Sequence, residues 1–322
     1  MASRWHSGRV VGGVILALGA SLAHAEYPDK QITFVVPFAA GSATDQLARS
    51  LGQEVGKATG KPVIVDNKPG ASGFIGAEAV KKAAPDGYTV FITTNTTHAA
   101  NEHLYKKLPY DPVKDFMPVT GLGKGGQIMI VNPNVPAKSV TEFIALAKAQ
   151  PGKVSFGSGS SSSRVAGEMF QQMAGVELLH VPYKSNPLAI NDLLGGQISM
   201  MITDMATGLP QVKGGKVRAL GVSTLKRSPL TPDVPTISEA GLKGYDMGFW
   251  FAAYVPANTP PAVVAKLHDL LVEASKGPAM QQFYSSTGTD PFVTTPAELG
   301  KFQLAESDKW KNIIKKAGIE PE

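Results

Sequence analysis

From residue 32 onward, short apolar runs alternate with longer amphipathic stretches, and nearly every run ends at a helix start or in a turn rich in Gly, Ser or Pro. That rhythm belongs to strands and helices in an α/β fold. Strands are expected at 32–36, 63–65, 89–93, 128–131, 154–156, 179–181, 198–202, 218–222 and 250–255. Helix starts are equally plain. Ser139 and Glu142 form a capping box, and so do Thr295 and Glu298, with Pro296 at the first helical position. Pro260 and Pro261 open a helix that carries Val263, Val264, Leu267, Leu270 and Leu271 on one face. With 43% apolar and 18% charged residues, the chain has material for a core and too little charge for general disorder. Its 322 residues suggest two domains, at about 150 residues each.

The first 25 residues differ in character. Arg4 and Arg9 precede an apolar run at 10–22 that ends in Ala23-His24-Ala25, which supplies the charged start, hydrophobic stretch and small −3 and −1 residues of a secretory signal peptide. Cleavage is expected before Glu26. A membrane span needs about 20 apolar residues, and this glycine-rich run is too short. The mature protein is therefore expected to be soluble outside the cytoplasm. Lys and Arg number 31 against 26 Asp and Glu; without Arg4 and Arg9 the balance is 29 against 26. So even a surface cannot neutralise a long run of phosphates, which argues against nucleic acid as a partner. The lack of cysteine excludes disulfides, thiolate metal sites and a cysteine nucleophile.

No stretch reads as a flexible interdomain linker. Strands crossing between the domains are the alternative, and 127–131 and 250–255 are the best candidates. The expected division is domain I at 26–131 and 250–322, and domain II at 132–249.

Two strand-to-helix loops could hold an anion. The first contains Phe38, Ala39, Ala40, Gly41, Ser42 and Thr44; the second contains Ser158, Gly159, Ser160 and Ser161. Each puts small residues and hydroxyls where backbone N–H groups stand unpaired at a helix start, and each lies at a strand's carboxyl end, where open α/β sheets bind ligands. Scaffold explanations stand beside this one. Ser42 and Asp45 fit a capping box, and the serine run also reads as a mobile surface loop.

Arg164 sits in the first turn of a helix, where the dipole disfavours a cation by about 0.3–1 kcal/mol unless an anion lies nearby. A ligand carboxylate would serve, since a guanidinium grips one with two parallel bonds; an outward, hydrated arginine is the alternative. Thr94, Asn95 and Thr96 lead to His98 in a polar cluster at another strand end. Asp204 follows an apolar run and fits either a helix N-cap or a cleft residue that binds a ligand hydroxyl or amine. Enzyme motifs mostly fail. The glycines at 121, 123, 125 and 126 lack dinucleotide-binding spacing, no Walker sequence occurs, and Ser223 with Lys226 matches S-x-x-K without its partner motifs. His98 and His103 are five apart, which is not the spacing of a helical zinc pair.

Taken in order, the segments YPDKQITFVVPFAAGSATD, VIVDNKPGASGFIGAEAV, AAPDGYTVFITTNTTHAAN, LYKKLPYDPVKDFMPV, HVPYK, GKVRALGVST and RSPLTPDVPTISEAG resemble the Bug, or TctC-like, solute-binding receptors of tripartite tricarboxylate transporters. The likeness spans essentially the whole mature chain. It implies a two-domain periplasmic binding protein fold with the ligand cleft between the lobes. It also implies no catalysis, no cofactor and no metal, with a small organic carboxylate as ligand and membrane transporter subunits as partners. A monomer is expected. The family's carboxylate-binding loops would fall on 38–44 and 158–162, with 94–98 and Asp204 facing the rest of the ligand. Where family members often read S-H-L-A-G-E, this chain has Ser163-Arg164-Val165-Ala166-Gly167-Glu168. Arginine for histidine suggests a second negative charge on the ligand, and so a dicarboxylate. Terephthalate, with Phe38 and Trp250 stacking on its ring, and adipate are the leading expectations. The alternative is a secreted serine hydrolase using a serine within 158–163 and His98 as base, which requires a hydrogen-bonded Ser–His pair.

Overall fold

The computed structural model describes residues 1–2 and 27–322. The expected signal peptide and its cleavage site lie outside the described residues. In chain order the strands are β1 (Ile32–Val36), β2 (Val63–Asn67), β3 (Thr89–Thr94), β4 (Phe116–Val131), β5 (Ser155–Ser158), β6 (Leu179–Pro182), β7 (Met200–Asp204), β8 (Arg218–Val222) and β9 (Gly248–Pro256). The helices are α1 (Ala43–Thr59), α2 (Phe74–Lys81), α3 (Asn101–Leu104), α4 (Val140–Ala149), α5 (Ser161–Ala174), α6 (Asn186–Leu194), α7 (Met205–Lys213), α8 (Pro261–Ser275), α9 (Pro278–Thr287) and α10 (Pro296–Lys316). Each expected strand overlaps an observed one.

Two sheets share one long strand. β2, β1 and β3 run parallel, β9 joins β3 antiparallel, and the first part of β4, Phe116 to Gly126, pairs with β9. From Gln127 to Val131 the same strand pairs instead with β7 and β8, and β5 and β6 extend that second sheet in parallel. The change of partner falls at Gly126–Gln127. β9 stays with the first sheet along its whole length and begins at Gly248. The glycine-rich segment that failed as a nucleotide motif has a mechanical explanation here. A Cβ on Gly126 would come within 2.6 Å of Thr224 Cγ2, so the turn between the sheets leaves no room for a side chain.

The first sheet is covered by α1, α8 and α9, whose Leu47, Leu51, Val55, Leu267 and Leu271 are buried against Phe34, Val90 and Phe251. In the second, Phe143 of α4 and Val165 and Phe170 of α5 pack with Phe156, Met200 and Ile202. Leu193 and Leu209, from α6 and α7, meet Ile128, Ile130 and Met201 on the opposite face. α10 returns to the first lobe, where Trp310 and Leu299 share a core with Phe91, Phe116 and Tyr254. This is a mixed α/β, two-domain fold, and its strand ends converge where the sheets meet.

Candidate functional site

α1 begins as its sequence dictates. Ser42 is the N-cap, its Oγ accepting from Asp45 N at 3.3 Å. The reciprocal half of the expected capping box is diverted: Asp45 Oδ2 accepts from Gly41 N at 2.9 Å, and Gly41 takes a left-handed φ of 81° that favours glycine. Asn67 Nδ2 braces the loop by donating both to Phe38 O and to Asp45 Oδ1, each at 3.0 Å. With Ser42 N donated to Ala39 O, the first two helical N–H groups, of Ala43 and Thr44, have no protein acceptor among the described residues. They point along the helix start, where an anion is favoured.

α5 repeats the arrangement in the other lobe. Ser160 and Ser163 form a reciprocal capping box, which leaves Ser161 N and Ser162 N as the free donors. The serine run is not a mobile loop, because every member has a fixed task. Ser158 Oγ bonds His180 Nε2 at 2.7 Å, Ser163 Oγ donates to Asn186 Oδ1 at 3.1 Å, and Gly159 N donates to the same Oδ1 at 3.0 Å. The remaining two reach into the first lobe: Ser161 Oγ donates to Asn101 Oδ1 at 2.7 Å, and Ser162 Oγ accepts from Asn95 Nδ2 at 2.8 Å.

Both helix starts line one cavity. Phe38, Ser42, Thr44, Thr94 and Thr96 contribute from the first lobe, and Gly159, Ser160 and Asp204 from the second, all of them expected from sequence. Ala43 and Ser162, within the expected loops 38–44 and 158–162, line it as well, and four further lining residues were not expected: Gln127, Asn186, Phe249 and Phe251. Phe249 and Phe251 lie on one face of β9, and strand alternation turns Trp250 to the other. There Trp250 is buried, donating from Nε1 to Glu306 Oε2 at 3.1 Å and meeting Phe302 edge-on. It does not line the cavity, and Phe38 is joined instead by its two neighbours. The polar exception in the apolar run at 127–131 was the available signal for Gln127.

Other expected site residues stand off the cavity. Ala39, Ala40 and Gly41 form the turn behind it, and Ser158 and Ser161 are occupied as described. Asn95 bridges the lobes, its Oδ1 also accepting from Trp250 N at 3.3 Å. Asp204 does line the cavity and is the N-cap of α7, with Oδ1 accepting from Thr207 N at 2.8 Å.

Two expectations need correction. Arg164 does not reach the cavity: its guanidinium pairs with Glu322, and Glu168 stands one turn along the same helix. The anion that offsets the dipole is thus a carboxylate of the chain itself. His98 is fully buried, with its Nδ1 on Thr97 Oγ1 at 2.9 Å and its ring stacked on Tyr254 at a centroid distance of 3.8 Å. Burial lowers its pKa to about 3. A base in that position meets no serine, which removes the proposed hydrolytic pair. The contact that does form, Ser158 with His180, has no carboxylate hydrogen-bonded to His180 Nδ1 among the described residues. Burial first, then the charge of Arg164, lowers His180 to about 4.

The R. palustris protein Rpa4515, solved with adipate, superposes with a TM-score of 0.89 at 33% identity, covering 92% of this chain and 100% of that one. The periplasmic binding protein BugD gives 0.87 at 34% identity, with 92% and 100% covered. MatC from Rhodopseudomonas palustris, with bound malate, gives 0.84 at 30% identity, covering 89% and 100%. BugD is a periplasmic binding protein, and the matched family is one of receptors and not of enzymes. Residues 47–319 match the family described as the tripartite tricarboxylate transporter family receptor, and the chain belongs to that family of Bug/TctC periplasmic solute-binding proteins.

Proposed function

We propose that this receptor captures a small organic acid by one carboxylate, held between the starts of α1 and α5, and delivers it to the membrane subunits of a tripartite transporter. One observation carries the reading: unpaired N–H groups of Ala43 and Thr44 in one lobe, and of Ser161 and Ser162 in the other, belong to helix starts that line the same cavity. Hydroxyls of Ser42, Thr44, Thr94 and Thr96 add donors that need no cation. Phe38, Phe249 and Phe251 offer an apolar wall for the hydrocarbon body, aliphatic as in adipate or aromatic as in terephthalate. The lobes in this reading are 27–126 with 248–322, and 127–247, hinged where β4 changes sheets. Ligand that touches both lobes only when they are closed shifts the population toward closure. The protein works as a periplasmic monomer, exported by the leader at 1–25, and needs no cofactor.

Calorimetry against mono- and dicarboxylates, with the matching primary amides as controls, tests this. Binding of acids and not of their amides is expected. Equal binding of acid and amide, or binding of neither, overturns the reading.

A further inference from the structure

Deep in the cavity, Gln127 and Asp204 are direct partners in the antiparallel pairing of β4 with β7, so their side chains share one face. Gln127 is 2% exposed and its backbone is fixed, N donating to Ser223 Oγ at 2.7 Å and O accepting from Ser223 N at 2.9 Å. Its side-chain amide nonetheless bonds to no protein atom among the described residues, and Oε1 is buried without a partner. An acceptor left so costs about 1–3 kcal/mol unless something donates to it. Beside it, Asp204 Oδ1 is filled by Thr207 N and Thr207 Oγ1, at 2.8 and 2.7 Å. Oδ2 takes one short bond from Asn186 Nδ2, at 3.0 Å, and a long one from Thr203 Oγ1, at 3.4 Å. Room remains for one more donor. Asp204 is also the one charged side chain among the lining residues, and no Lys, Arg or His joins it.

We infer that the ligand carries, beyond the carboxylate held at the helix starts, a hydrogen-bond donor, either hydroxyl or ammonium, seated between Gln127 and Asp204. This rests on the carboxylate reading above and names the chemistry at the other side of the same cavity. A free carboxylate in that position would meet the like charge of Asp204 with no cation to offset it, and the Gln127 Nε2 donor alone does not remove that repulsion. An ammonium satisfies both acceptors at once, and a hydroxyl donates its single proton to one of them while accepting from Gln127 Nε2.

The test is calorimetry on the full mature chain with succinate, malate and aspartate, which differ only in carrying hydrogen, hydroxyl or ammonium at one carbon, and with butyrate and 3-hydroxybutyrate. Malate or aspartate is expected to bind at least about tenfold tighter than succinate, and a hydroxyl-specific site also favours 3-hydroxybutyrate over butyrate. Preference for malate identifies the donor as hydroxyl, and preference for aspartate identifies it as ammonium. Asp204→Asn keeps a capping side chain on α7, and Gln127→Met keeps the volume in β4. Each should bring the preference to within about threefold while sparing succinate. If one variant fails to fold, the other carries the same comparison. Succinate binding as tightly as malate and aspartate, with the butyrate pair also equal, overturns this inference and leaves the carboxylate reading intact. Failure of all five acids to bind also overturns this inference, and the carboxylate reading is then decided by the comparison of acids with their amides.

Discussion

Asn95 Nδ2 donates to Ser162 Oγ at 2.8 Å, joining the end of β3 in one lobe to the start of α5 in the other, and both side chains are buried. Such a bond exists only with the lobes together. Opening replaces it with water on both partners, whereas closing without Ser162 Oγ strands an amide donor. Ser162→Ala should therefore weaken closure by about 1–3 kcal/mol, and ligand affinity by about tenfold or more. Calorimetry reads the affinity, and X-ray scattering should show a more extended ligand-bound ensemble. An unchanged dissociation constant would mean that Asn95 finds another acceptor in the closed form.

Backbone donors can be tested without touching a side-chain hydroxyl. Ala43 is the first helical residue of α1, and Ser42 before it is extended at ψ 158°, so proline fits at 43 without breaking the helix. Ala43→Pro deletes one unpaired N–H and nothing else in the hydrogen-bonding of the loop. Affinity for every carboxylate ligand should fall by about tenfold, the weight of a bond to a charged acceptor, while the melting temperature holds or rises slightly. Loss of affinity together with loss of stability would show that the substitution disturbed the loop instead.

Local chemistry made most of this molecule legible. Apolar runs located each strand, and Ser42, Ser139 and Thr295 marked helix starts, because capping depends on residues three apart in sequence. The two anion-ready loops were readable for the same reason. What stayed hidden depends on which face a side chain takes and on what arrives from far along the chain. Nothing near Arg164 announces that Glu322 is its partner, and the polar run ending in His98 gives no sign that the ring turns into a core with Phe91, Phe116 and Tyr254. The sequence offers Trp250 as a ring-stacking residue, and strand alternation gives that place to Phe249 and Phe251. Gln127, a lone amide in an apolar strand, acquires meaning only beside Asp204.

Arg164 now carries a different expectation. Glu322 is tied by its backbone to the first lobe, donating to Leu104 O at 3.0 Å and accepting from Lys106 N at 2.8 Å, while its side chain pairs with Arg164 on α5 of the second. The pair is a clasp across the lobes and no ligand contact. Arg164→Gln should leave the ratio of mono- to dicarboxylate affinity unchanged and weaken all ligands alike, by about 0.2–1 kcal/mol given the exposure of Glu322. The same loss should appear in the wild-type protein as salt is raised, and should be absent from the variant. Selective loss of dicarboxylate binding would return Arg164 to the ligand.

His98 sets an acid limit on the fold. Burial holds its folded pKa at about 3, against an ordinary 6.5, so at intermediate pH the unfolded chain binds a proton that the folded chain refuses. Stability from the neutral ring is fully present above pH 6.5 and declines as the pH drops, by about 1.4 kcal/mol per unit, until the folded ring protonates near pH 3. His98→Phe keeps an aromatic ring against Tyr254 and removes the titration. Urea unfolding of the two proteins from pH 7 to about pH 4 should therefore give a shallower acid limb for the variant, since the remaining groups titrate in both. Parallel limbs would show that the ring accepts its proton with the fold intact, which the unpartnered Nε2 in its apolar surroundings argues against.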